Sequence, residues 1–228
     1  MLLRAVACLM ILGAATAGGD EEPASLRLYR DGVDKAVDRA LAWLAAQQRA
    51  DGTFPGEYGA TNAVTSLAGM AFLAAGHSPG RPPYGDVLNR CTDRLLRSAR
   101  ADGYLGADNG RMYGHGIATL FLSEVAGMVD PDREERVEAL LGRALRLILD
   151  AQKVPKDNAA DVGGWRYQPD SKDGDVSVTG WQIMAMRSSR MNGAPAPDAA
   201  IRDAMAFLER ARHPEGGFRY VPRADWWY

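Results

Sequence analysis

Four times along the chain a helix-forming segment runs into a glycine turn capped by a large apolar residue, and this recurrence limits the fold more than any single motif. The turns are Gly52-Thr53-Phe54, Gly103-Tyr104-Leu105, Gly163-Gly164-Trp165 and Gly216-Gly217-Phe218. Matching Gly52, Gly103, Gly164 and Gly217 gives separations of 51, 61 and 53 residues by subtraction. A period of about 50 residues with two helices per unit is the signature of a helical-hairpin repeat.

The helices alternate in character. The first is expected over residues 32–49, with Val33, Ala36, Val37, Ala40, Leu41 and Leu44 on one face and Asp34, Lys35, Asp38 and Arg39 on the other. The second, over 62–75, is apolar nearly all round through Ala63, Val64, Leu67, Met70 and Phe72. One-sided helices follow over 85–100, from Pro131 to near Gln152, and over 198–212, and all-round apolar ones over 114–128 and 176–191. A helix apolar on every side is either buried or in a membrane, and at this length burial is the expectation. The fold class expected is all-α, a partial α/α toroid with apolar helices inside and amphipathic helices outside. After Phe218 the pattern asks for another inner helix, and the sequence reaches Trp226-Trp227-Tyr228 instead. About three and a half repeats would leave apolar flanks open to a protein partner or to a second chain completing the ring, unless the chain is a fragment.

Residues 1–17 are read as a signal peptide, with Arg4 in a basic start, an apolar run from Ala5 to Ala14 and the small residues Ala15-Thr16-Ala17 at the cleavage site. Residues 18–30 are read as a flexible lead-in and 31–228 as the repeat domain, exported to the periplasm or beyond. Cys91 is then the one remaining cysteine, which excludes an intrachain disulfide. A formal net charge of -2 argues against nucleic acid as a partner.

The order of outer helix, glutamine, glycine and aromatic resembles the QW repeat of the squalene cyclase and protein prenyltransferase superfamily. Gln48 with Gly52-Thr53-Phe54, and Gln152 with Gly163-Gly164-Trp165, match it best, and Gly103-Tyr104-Leu105 and Gly216-Gly217-Phe218 are degenerate copies. The resemblance implies a ring of inner helices around a cavity that accepts an apolar, isoprenoid-like ligand. Read from their own chemistry, the aromatics plug gaps between outer helices and the glutamine amides tie off free backbone groups.

The resemblance also implies a catalytic acid in a D-x-D-D motif. Asp173-Gly174-Asp175-Val176 keeps two of these acids and has valine at the third position. Asp175 is therefore both a candidate general acid, with Asp173 beside it, and a candidate helix cap. His115, between two glycines, is expected to be accessible and to support proton transfer. Tyr113, Trp165, Tyr167, Trp181 and Gln182 are the candidate cavity-lining residues. No cofactor fingerprint occurs, and Cys91 and His115 do not fall together as a zinc site would need, so neither cofactor nor metal is expected. Three functions stay open: a binding domain for an apolar ligand or protein partner, a terpene cyclase using Asp175, and a carbohydrate-active enzyme with paired acids, for which Asp173 and Glu124 are the candidates.

Overall fold

Capping side chains set where three of the helices begin. Thr61 Oγ1 accepts from the Val64 N–H at 3.3 Å, Asp130 from the Arg133 N–H at 3.2 Å with Pro131 at the first turn, and Asp175 from the Val178 N–H at 2.8 Å. The computed structural model describes residues 24–57, 59–194 and 196–224. Its helices are α1 (Ala24–Gln47), α2 (Asn62–Ala74), α3 (Gly85–Ser98), α4 (Arg111–Val125), α5 (Pro131–Lys153), α6 (Val176–Met191) and α7 (Asp198–Ala211). Among the described residues there is no strand, only isolated bridges between Trp165 and Asp175 and between Arg212 and Phe218. The protein is all-α. The signal-peptide assignment falls outside the described residues, and α1 starts at Ala24, inside the stretch expected to be a lead-in.

α4 lies between α2 and α6, and these three make an inner layer. α3 and α5 pack behind it and against each other, while α1 and α7 pack on α2 and α6 at the two ends. Small residues set the inner spacing. A Cβ on Gly69 of α2 would stand 2.4 Å from the Phe121 ring of α4, and one on Gly116 would stand 2.6 Å from Gln182 of α6. Between the layers Phe72, Leu88, Leu95, Phe121, Leu122 and Ile148 are fully buried, each contributing about 2–3 kcal/mol of transfer free energy. Arg133 joins α5 to α3 through both oxygens of Asp93 at 2.9 Å.

The turn between layers repeats one contact. Gln48 Nε2 donates to Gly52 O at 3.2 Å and across to Val87 O of α3 at 3.0 Å, and Gln152 Nε2 donates to Gly163 O at 3.1 Å and to Ala200 O of α7 at 2.8 Å. At the four turns Gly52, Gly103, Gly163 and Gly216 are left-handed, with φ of 87°, 88°, 87° and 102°. The repeat register therefore runs through Gly163 and Gly216, one residue before the glycines matched in the sequence. Gly217 is also left-handed, but Gly216 N–H bonds back three residues, as in Gly52 and Gly103; in the third turn Gly163 is the left-handed residue and that bond falls to Gly164 N–H, which donates to Asp161 O at 3.1 Å.

The inner helices are not dry on every side. On α2, Leu67 is 44% exposed and Val64 half-buried; on α6, Met184 is 42% exposed and Trp181 half-buried. On α4 the partly open positions are Tyr113, Leu120 and Glu124. These residues recur at helical spacing on one stripe of each helix, opposite the stripe buried against α3, α5 and α7. The inner layer thus has an open, largely apolar face. No described helix is long and apolar enough to cross a membrane.

Candidate functional site at the shared end of the inner helices

The N-terminal ends of α4 and α6 bring most of the candidate residues together. Asp175 is held twice by backbone: its N–H donates to Trp165 O at 2.9 Å, and its Oδ1 caps α6. Its Oδ2 lies 3.4 Å from Arg166 Nη1, and Asp173 Oδ2 lies 3.4 Å from Arg166 Nε. One guanidinium therefore bridges both acids of the Asp173-Gly174-Asp175 motif. Asp175 is fully buried, and burial pushes its carboxyl above the usual carboxylate range against the opposing pull of the Val178 cap and Arg166.

Aromatic rings close over this ion cluster. The Arg166 guanidinium carbon lies 4.5 Å from the Tyr167 ring centre and 5.3 Å from that of Tyr220. The two hydroxyls are 2.5 Å apart, and Tyr113 stacks on Tyr167 with ring centres 6.1 Å apart. Tyr220 reaches the cluster because Val176 N–H donates to its carbonyl at 2.9 Å, which pins the segment after α7 across the start of α6. Burial, then the hydrogen bond with Tyr167, pushes the Tyr220 hydroxyl far above its ordinary value. Neither Arg166 nor Tyr220 was among the sequence candidates. Arg166 lay in plain view inside Gly163–Pro169 without a periodic signal, and Tyr220 is 45 residues from Asp175 by subtraction.

The structure does not bring His115 into this cluster. It is fully buried, its Nδ1 accepts from the Leu105 N–H at 3.2 Å, and its Nε2 donates to Ala144 O of α5 at 3.1 Å. Burial lowers its pKa to about 4, so the ring is neutral and fully engaged, contrary to the accessible histidine expected between two glycines. Trp165 also leaves the cavity list, because it is 1% exposed and its Nε1 donates to Ile148 O at 2.8 Å as a plug between layers. Gln182 is fully buried between α4 and α6, donating to Met112 O at 2.8 Å. Tyr113 and Trp181 remain half-open on the inner face. Glu124 meets Ser188 Oγ at 2.6 Å near the far end of α6. At 1.5 Å per residue this is roughly 20 Å from Asp173, so those two acids do not form a pair.

Two polar recesses flank the cluster. One, of about 490 Å³, is lined by Asp157, Asn158, Lys172, Asp173 and Arg223. Arg223 also bridges the buried Asp161 at 3.0 Å. The other, of about 310 Å³, is lined by Tyr104, Gly106, Asn109, Arg111 and Gln168 among others. Among the described residues no group of three or more His, Cys, Asp or Glu side chains is arranged to hold a metal.

No family model matches the chain. It is 26% identical over 190 residues to the drimenyl diphosphate synthase of Streptomyces showdoensis, a match that takes in 82% of this chain and 32% of that protein. The chain therefore spans about a third of that relative's length.

Proposed function

We propose that this chain is a terpenoid-cyclase-like helical repeat domain that binds an apolar, isoprenoid-class ligand on the open face of α2, α4 and α6. One observation carries the reading: the wet stripes of the inner helices are largely apolar, interrupted by Glu124 and Arg187, with Leu67 44%, Met184 42% and Met191 56% exposed beside half-buried Tyr113, Leu120 and Trp181. A contiguous apolar patch on a folded domain marks a binding face. The distant likeness to a drimenyl diphosphate synthase points the same way, towards isoprenoid chemistry. With residues 1–17 as a leader, binding takes place after export. Tyr113 and the Asp173, Asp175, Arg166 and Tyr167 cluster form the rim at one end of this face.

The test is titration of the chain with geranylgeraniol, an apolar isoprenoid alcohol, followed by tryptophan fluorescence. Saturable quenching is expected, weakened at least about tenfold by Leu67→Glu and unaffected by Asp175→Asn. Quenching that ignores the charge at Leu67, or no quenching at all, sinks this reading.

The second reading, a terpene cyclase, rests on the burial of Asp175 beneath the tyrosines. A proton donor to an alkene needs a free, acidic O–H. Here Oδ1 accepts the Val178 N–H and Oδ2 faces Arg166, an arrangement suited to a cap and ion-pair partner. Conversion of a prenyl substrate to a cyclic product, lost in Asp175→Asn, would reverse the order of the two readings. The carbohydrate-active reading has the polar recess it requires, but its acids Asp173 and Glu124 lie at opposite ends of the inner layer.

A further inference from the structure

We propose that the ligand of the α2, α4 and α6 face is a neutral terpenoid alcohol, its hydroxyl read by Glu124 and Arg187 and its hydrocarbon laid along Leu120, Met184 and Trp181. This rests on the ligand-binding reading above and narrows it to one class of head group.

Charge is spread unevenly over the face. α2 contributes none, since no residue from Asn62 to Ala74 is ionisable. On α4 the half-open stripe runs Tyr113, Leu120, Glu124, and on α6 the stripe runs Trp181, Met184, Arg187, Met191. Glu124 and Arg187 therefore share one end, the C-terminal halves of α4 and α6, with apolar side chains between them and Tyr113. Tyr113 and Glu124 are 11 residues apart by subtraction, about 16 Å of helix.

The Glu124 carboxylate is held in place across the two helices. The Ser188 hydroxyl donates to its Oε1 at 2.6 Å, Ser188 Oγ stands 2.6 Å from Ser123 Oγ, and Asn192 Nδ2 donates to Ser123 O at 2.7 Å. Both serines are buried. A carboxylate beside hydrocarbon is costly unless donors reach it, and it can accept at about four sites. Glu124 is thus a fixed acceptor at the edge of an apolar surface. Arg187, exposed one residue before Ser188, brings donors to the same edge. An acceptor and a donor together match a hydroxyl, whose O–H donates to Glu124 while its oxygen accepts from the Arg187 guanidinium.

The same inventory argues against an anionic head. At this end Arg187 is offset by Glu124. At the other, Arg166 is shared by Asp173 and Asp175, and Arg111, whose guanidinium carbon lies 5.6 Å from the Tyr167 ring centre, brings the balance to two cations against two acids. Neither end holds the surplus positive charge that a diphosphate requires, and Glu124 would repel one directly.

Fluorescence titrations with geranylgeraniol, its methyl ether and geranylgeranyl diphosphate test this. The alcohol should bind at least about tenfold tighter than either, since the ether cannot donate and the diphosphate is repelled. Glu124→Met should erase the preference for the alcohol over the ether. Arg187→Met should reduce it as well, and because Arg187 is exposed, a folding defect in Glu124→Met does not decide the result. A purely structural tie between Glu124 and Ser188 would lower stability on substitution and leave the ratio of alcohol to ether affinity unmoved. Ether or diphosphate binding as tightly as the alcohol overturns the inference and leaves the ligand-binding reading standing, and so does an alcohol preference that persists in both variants. Quenching by none of the three overturns both.

Discussion

Trp165 and Phe218 stand at the same place in their repeats, two residues after a left-handed glycine, yet the first is 1% exposed and the second 44%. The local backbone is alike. What differs is the neighbour: α7 lies against the Gly163 turn, whereas a Cβ on Gly216 would meet nothing within 4 Å. The contrast shows that the plug does not stabilise its own turn. It stabilises the junction between one outer helix and the next, so its worth is set by a partner some 40 to 50 residues away, as the bond from Gln152 to Ala200 shows (|i−j| = 48).

Four measurements can break or sharpen that contrast. The largest effect is expected from Trp165→Ala, which empties a filled site and removes the indole hydrogen bond to Ile148 O; chemical denaturation should show a loss of about 3–5 kcal/mol. Next comes acid, acting on an interior junction through His115. Its folded pKa is about 4 against 6.5 for the free side chain, so between those values the unfolded chain binds the proton and the folded one does not. Stability should be whole above pH 6.5 and fall by on the order of 3 kcal/mol as pH drops towards 4. His115→Asn should start less stable and show a shallower slope over that window. Smaller again is Asp175→Ala, which removes a cap and leaves Arg166 to Asp173 alone, at a cost of about 1–2 kcal/mol. The smallest is Phe218→Ala, expected within about 0.5 kcal/mol for the monomer. If Phe218→Ala costs as much as Trp165→Ala in dilute solution, the plug acts within its own turn and the comparison fails.

The helical class and the alternation of layers were legible because periodicity in apolar residues is a local signal, and Val137, Leu140, Ala144 and Ile148 carry it plainly. The repeat register was legible only to within one residue. A doubled glycine at 163–164 or 216–217 leaves the left-handed position ambiguous until the folded backbone places it. Which side of α2, α4 and α6 would be wet was not legible, because a helix such as Ala63–Ala74 is apolar around its circumference and its pattern names no direction. The site was half legible. Asp173 and Asp175 stood out as a motif, whereas their common partner Arg166 and the cover of Tyr220 come from elements with no periodicity to betray them. His115 misled, since flanking glycines suggest openness, and it was the carbonyl of Ala144 on another helix that claimed its ring.

By itself the sequence determined what short-range physics determines: that the chain is helical, roughly where most helices run, that turns need glycine, and that two kinds of helix alternate. Tertiary structure alone decided which apolar stripes stay open, which three of the four equivalent plugs are buried, and that the capping Asp175 faces an arginine. The reason is range. Caps and periods are settled within a turn or two of helix, while burial and ion pairing depend on surfaces that distant segments bring up, and those surfaces exist only once the layers have packed.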